Sequence, residues 1–295
     1  MARKVPRRRI GELMQAVLTE LRDVGGVSKP GALYDRVEKR LDLTDYERGT
    51  YDSGGVRWRA ILSFHSIDCV KAQFIRKSGG KWHLTEEGEE ALKLGPEEFI
   101  AKAIERYREW KRKQPHSDEV HEVDEDEIER QGIYTQARDQ AQSEIEEHLQ
   151  SLDPYDFQRL VAELLRAMGY HISSVAPPGP DGGIDITAYR DPLGTEGPRI
   201  KAQVKRHANK VGPKDVRELE GLLRKDGDVG LFVALSGFTS EAEREIRSSV
   251  KHIETMDGDR LVRLWQEHYE KLREPGKALM PLVKVHFLAP AETED

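Results

Sequence analysis

Apolar residues recur at helical spacing through the first part of the chain. Ile10, Leu13, Met14, Val17, Leu18 and Leu21 mark one helix, which Gly25-Gly26 ends. Leu33, Val37 and Leu41 predict a second over 31–41, and Val56, Ile61 and Leu62 a third after the polar stretch 42–55. The period then shortens. Gln73-Phe74-Ile75-Arg76 and Lys81-Trp82-His83-Leu84, joined by Lys77-Ser78-Gly79-Gly80, predict a β-hairpin, after which Thr85 caps a short helix opened by Glu86 and Glu87. Three helices and a hairpin form the layout of a winged helix-turn-helix. Residues 96–113 predict one more amphipathic helix, through Phe99, Ile104 and Trp110. Residues 114–130 are acidic and weakly apolar and read as a solvated linker or mobile helix, and 131–149 are polar with some helix formers.

A second pattern opens at Asp153-Pro154, a helix start whose Phe157, Leu160, Val161, Leu164, Leu165 and Met168 make one apolar stripe ending at Gly169. Strands are expected at 170–176, 183–190 and 199–206, a helix at 213–224, a strand at 229–235 and a helix at 240–251 with Ser240 and Glu243 as its capping box. The order α-β-β-β-α-β-α packs as a layered α/β domain around a central mixed sheet. An α+β protein of two domains follows: 1–95 winged helix, 96–152 helical and acidic linker, 153–275 the α/β domain, and 276–295 a tail. At roughly 150 residues per domain, 295 residues agree with that division.

Charge sharpens this picture. The formal net charge is −7, but residues 1–113 carry 24 Lys+Arg against 18 Asp+Glu, residues 114–152 carry 2 against 12, and residues 153–295 carry 21 against 24. A basic N-terminal part followed by an acidic segment is the asymmetry that bears on partners. Arg57, Arg59, Arg76, Lys77 and Lys81 fall on the third helix and hairpin and are candidates for phosphate contact and groove insertion, the alternative being solvated positive charge. The single Cys69 excludes a disulfide scaffold and a multi-cysteine zinc site. No apolar run is long enough to span a membrane, and the basic N-terminus lacks the apolar region of a signal peptide, so a cytoplasmic protein is expected. There is no HExxH motif and no P-loop, hence no expected zinc protease chemistry and no nucleoside triphosphate.

The informative stretch is Pro180-Asp181-Gly182-Gly183-Ile184-Asp185-Ile186-Thr187-Ala188, followed by Ile200-Lys201-Ala202-Gln203-Val204-Lys205. Strand alternation puts Ile184, Ile186 and Ala188 on one face with Asp185 and Thr187 opposite. It likewise separates Ile200, Ala202 and Val204 from Lys201, Gln203 and Lys205. In neighbouring strands a carboxylate, an amide oxygen and an ammonium would then converge. That trio suits phosphodiester hydrolysis, in which a hard cation takes oxygen ligands and the ammonium serves the attacking water or the developing charge. An ordinary solvated strand face is the alternative. His207 could reach a phosphate from the strand end.

Residues 153–262 resemble the catalytic domain of Mrr-type restriction endonucleases, within the PD-(D/E)XK nuclease superfamily. The landmarks are DPYDFQRLVAELLRAMGY, PDGGIDITAY, KAQVKR, VALSGFTSEA and HIETMDGDRL, in family order. Residues 1–95 resemble the winged-helix domain found ahead of such catalytic domains, with GGKWHLTEEG as the best landmark. The resemblance implies catalytic roles for Asp185, Gln203 and Lys205, and metal ligation by Asp185 and Gln203 with Gln158 as a further candidate. It also implies Mg²⁺ as cofactor with Mn²⁺ as a substitute, and duplex DNA, including base-modified DNA, as substrate. A homodimer or larger assembly in a prokaryotic, nucleoid-associated setting completes the expectation: a type IV-like restriction endodeoxyribonuclease. A repair or branched-DNA nuclease, or a DNA-binding protein with a decayed site, are the alternatives. One departure bears on the second: family members often carry Glu directly after the helix Phe, where this chain has Gln158. Glu163 is offset from it by five residues, toward another helix face.

Overall fold

A computed structural model describes residues 5–113, 125–177, 182–207 and 209–288. It divides into two compact units, Met1–Glu144 with Val285–Asp295, and Ile145–Lys284. Residues 114–124, most of the acidic stretch, and Pro180 and Asp181 lie outside the described residues. Among the described residues no helix is long and apolar enough to cross a membrane.

The first unit runs α1 (Arg7–Asp23), β1 (Val27–Ser28), α2 (Pro30–Arg40), α3 (Asp45–Arg48), α4 (Arg57–Lys71), β2 (Ile75–Ser78), β3 (Lys81–Leu84), α5 (Glu86–Ala91), α6 (Pro96–Arg112) and α7 (Glu125–Ser151), whose last turns belong to the second unit. The stripe of α1 is buried as its spacing requires, in a core with Trp58, Phe74, Trp82 and Phe99. The hairpin turns at Gly79-Gly80, so Lys77 and Ser78 continue β2. The two-residue β1 adds a third antiparallel strand, in the order β1-β3-β2. Both β1 and α3 are too short to announce themselves by periodicity.

Residues 96–112 and 125–144, expected within the linker, lie in this unit. Helix α6 buries Phe99, Ile100 and Ala103 in the same core. Helix α7 approaches α4 and the hairpin through a seam that is polar rather than apolar: Thr135, Asp139 and Ser143 are all buried. At Gly132 a Cβ would stand 2.2 Å from the Ala60 carbonyl oxygen, so backbone meets backbone there. Hydrophobic periodicity carries no signal for such a contact.

The second unit contains α8 (Pro154–Ala167), β4 (His171–Val175), β5 (Ile186–Tyr189), β6 (Arg199–Lys205), α9 (Pro213–Leu222), β7 (Asp228–Ala234), α10 (Ser240–Ser248), β8 (Ile253–Asp257), α11 (Gly258–Glu267) and α12 (Glu274–Leu279). Its sheet is mixed, in the order β4-β5-β6-β7-β8, antiparallel from β4 to β6 and parallel from β6 to β8. Phe157, Leu160, Leu164, Leu261 and Trp265 pack with Ile186, Ala188, Ala202 and Val233 in one core, and Val216, Leu219 and Ala242 with Phe232, Ala234 and Ile253 in another. Helices therefore cover both faces, and β7, buried nearly throughout, reads as the continuous apolar run such a position requires.

Four expectations change here. Strand β8 and helix α11 extend the sheet by one parallel strand; in β8 the exposed Glu254 breaks the apolar signal. Thr239, whose hydroxyl accepts from the Ala242 N–H at 3.1 Å, caps α10 in place of Ser240. Ile184 packs on the α9 core while Ile186 and Ala188 pack on the α8 core, because β5 begins at Ile186 and the positive φ of Gly182 and Gly183 (69° and 87°) turns the chain before it. Of the expected tail, Met280 is buried and accepts the Trp265 indole N–H at 3.3 Å, so residues up to 284 belong to this unit.

Candidate active site

Asp185 sits directly before β5, and its backbone and side chain straddle one residue of β6. Its N–H donates to the Ala202 carbonyl at 2.9 Å, and its Oδ2 accepts the Val204 N–H at 2.7 Å. Gln203 lies between those two contacts. Its Oε1 is buried without a hydrogen-bond partner among the described residues, an arrangement that costs free energy unless something fills it. Period-two alternation places Lys205 on the same face of β6, one step toward the strand end. Among the described residues no group of three or more His, Cys, Asp and Glu could hold a metal ion. The donor set is thus one carboxylate and one amide oxygen. Oxygen donors with room for water suit a hard divalent cation such as Mg²⁺, and an orphaned amide oxygen beside an anchored carboxylate fits that group.

The Lys205 ammonium is held by Asp215 in the first turn of α9. The other oxygen of Asp215 accepts the Gly212 N–H at 3.0 Å, so the carboxylate also caps the helix. Burial pushes the Asp215 carboxyl up, but the Lys205 ammonium and the Gly212 N–H outweigh it and hold its pKa below the ordinary value. Lys201 is engaged at the opposite end of β6, donating to the Leu222 carbonyl at 3.0 Å and pairing with Asp228 at 3.3 Å. It does not join Lys205. Asp215 was missed in the sequence, although Gly212-Pro213-Lys214-Asp215 is a readable capping signal.

Gln158, on α8, is buried, and its Nε2 donates to the backbone carbonyls of Ala176 and Asp185 at 2.9 and 3.2 Å. Glu163 lines the same cleft of about 610 Å³ as Gln158, together with Arg166 and Arg273, which both pair with it. Burial raises the Glu163 carboxyl, and the two arginines overcome that and hold it below its usual range. A carboxylate committed to two guanidiniums is not a spare metal ligand.

In the first unit the candidate DNA contacts separate. Arg76 is exposed and Lys81 half-buried. The Arg57 guanidinium lies over the rings of Tyr46 and Tyr51, and Arg59 pairs with Glu38 at 3.3 Å. Lys77 must be corrected. Its ammonium donates to Asp139 at 2.5 Å and Ser66 at 2.8 Å and stands 4.1 Å from the Trp82 ring, facing α7 rather than solvent. Burial pulls its pKa down to about 8 despite Asp139. His207, in the second unit, is exposed beyond β6.

Comparison with known proteins gives the same two parts. A family model described as a restriction endonuclease matches residues 149–265, and one described as the Mrr N-terminal domain matches residues 11–94. The Type IV methyl-directed restriction enzyme EcoKMrr of Escherichia coli (strain K12) is 35% identical over 137 residues, 44% of this chain and 44% of that protein. The chain thus matches less than half the length of that curated relative. The MspJI restriction endonuclease in complex with a 27-mer oligonucleotide is 17% identical, over 68% of this chain and 50% of its own, with a TM-score of 0.36 that carries no structural argument. With the Mrr N-terminal and restriction endonuclease patterns both present, in that order, the chain is similar to Mrr-type restriction endonucleases over residues 11–94 and 149–265.

Proposed function

We propose that this chain is a Mg²⁺-dependent DNA endonuclease of the type IV kind, hydrolysing phosphodiester bonds in foreign or methylated duplex DNA. Asp185, Gln203 and Lys205 form its centre. The observation that carries the reading is the buried, unpartnered Oε1 of Gln203 beside a carboxylate fixed on the Val204 N–H. Asp185 and Gln203 would hold Mg²⁺, with Mn²⁺ as a substitute. When bound, the cation polarises the scissile phosphoryl group and acidifies its water.

The protein's own groups do the rest. Lys205, held on Asp215 in the resting site, supplies a positive charge to the phosphate as negative charge develops there. The Gln203 Oε1 is itself buried within this half-buried side chain, and among the described residues no donor competes for it. The first unit, read as a winged helix, supplies backbone contacts to DNA through Arg76 and Lys81, with modified bases as the feature it selects. The relative's methyl-directed action supports that preference. Two cuts in a duplex call for two such centres, so a homodimer or larger assembly is part of the proposal.

Methylated and unmethylated copies of one plasmid, incubated with Mg²⁺, test it. The wild type should nick or cut, the methylated copy faster, and Asp185→Ala should bind without cutting. Equal cleavage by purified wild type and Asp185→Ala removes this site as the nuclease.

A further inference from the structure

We infer that Gln158 is a positioning residue that clamps the segment carrying Asp185, and that it is not a metal ligand; the inference rests on the nuclease reading of that site. Both hydrogen-bonding neighbours of its Nε2, the carbonyls of Ala176 and Asp185, are acceptors. The end of the carboxamide that faces them must therefore be the nitrogen. The same two residues are joined directly, the Ala176 N–H donating to the Asp185 carbonyl at 2.7 Å. Asp185 is then tied to β6 twice, by its own N–H at Ala202 and by its Oδ2 at Val204. Gln158 closes this set from α8, across a chain turn in which Gly182 and Gly183 have positive φ and impose little order of their own.

A glutamate at this position could not make the contact. An ionised carboxylate only accepts, and facing two carbonyl oxygens it would repel both. The amide here is thus a change of task, from a ligand that brings charge to a donor that fixes the backbone bearing the ligand. It also bears on the decayed-site alternative: the one residue that suggested decay has its Nε2 engaged by two backbone carbonyls.

The full chain serves for the test, as wild type, Gln158→Glu and Gln158→Met, with Asp185→Ala as reference. Plasmid cleavage is measured across Mg²⁺ concentrations, Ca²⁺ binding by calorimetry without DNA, and amide exchange at Val204 by NMR. Loss of an outer support is expected to lower kcat by about 10- to 100-fold in both variants, with KM for DNA unchanged and no rescue by added Mg²⁺. Ca²⁺ affinity in Gln158→Glu should not rise. Val204 exchange should quicken by about tenfold or more as its acceptor loses its place. A Gln158→Glu protein that binds Ca²⁺ more tightly and cuts as fast as wild type overturns the inference. So does a Gln158→Met protein with unchanged Val204 exchange, even if Gln158→Glu fails to fold. Should wild type and Asp185→Ala cut alike, the nuclease reading fails, while the Val204 measurement still decides the clamp.

Discussion

Lys77 shows how far one side chain's surroundings can depart from its position in the sequence. Alternation put it on a hairpin turn among basic residues, yet its ammonium is enclosed by Asp139, Ser66 and Trp82. Its folded pKa of about 8 lies below the ordinary lysine value. Below pH 8 folding must bury a charge that the unfolded chain keeps in water, and between about 8 and 10.5 the folded state sheds that proton first. Stability from this group therefore rises with pH across that window. In urea titrations from pH 7.5 to 10.5, wild type should gain stability relative to Lys77→Met; a constant difference would contradict it. At the same scale, the placement of Asp185 next to the strand that carries Gln203 and Lys205 on one face was legible because strand alternation is local. Asp215 and Asp139 were not, because their roles depend on which helix is packed over the strand.

The long helix α7 was the least legible element. Its seam against α4 and the hairpin includes Gly132, Thr135, Asp139 and Ser143, none of which contributes to an apolar stripe. Close packing there is steric: Gly132→Ala would drive a Cβ to 2.2 Å from the Ala60 carbonyl oxygen. The substitution should cost about 2 kcal/mol or more, since backbone on both sides must move. Gly221→Ala, on α9 with nothing within 4 Å of the new Cβ, is the matched control and should be neutral or stabilising by up to about 1 kcal/mol. Equal melting temperatures for the two variants would remove the close approach as a determinant. By contrast α1 and α8, with continuous stripes and clear stops at Gly25 and Gly169, were readable almost to the residue. The missed pair β8–α11 falls between: a short strand with exposed Glu254, then a helix capped by Asp257 on its Arg260 N–H at 2.8 Å.

At the scale of the whole molecule, net charge is a weak guide to nucleic-acid affinity. Much of the first unit's positive charge is internally spent: Glu20 takes Arg36 and Arg40, Glu47 takes Arg9, and Asp139 takes Lys77. Arg76 and Lys81 are what the hairpin retains. Replacing either by Ala should reduce the slope of log K against log salt for duplex DNA by about one, with little change in sequence preference. Fluorescence anisotropy over a salt series would read this, and an unchanged slope would move the contact elsewhere. The packing of α6 and α7 also decides how the chain can be dissected. A scission after residue 95 would strand Phe99, Ile100 and Ala103 on one fragment and open the matching hollow beside α1 on the other, with Lys77 left without its counter-ion. The N-terminal unit therefore runs to residue 144 and takes in residues 285–288 as well, its continuous part half again as long as its hairpin and helices advertise.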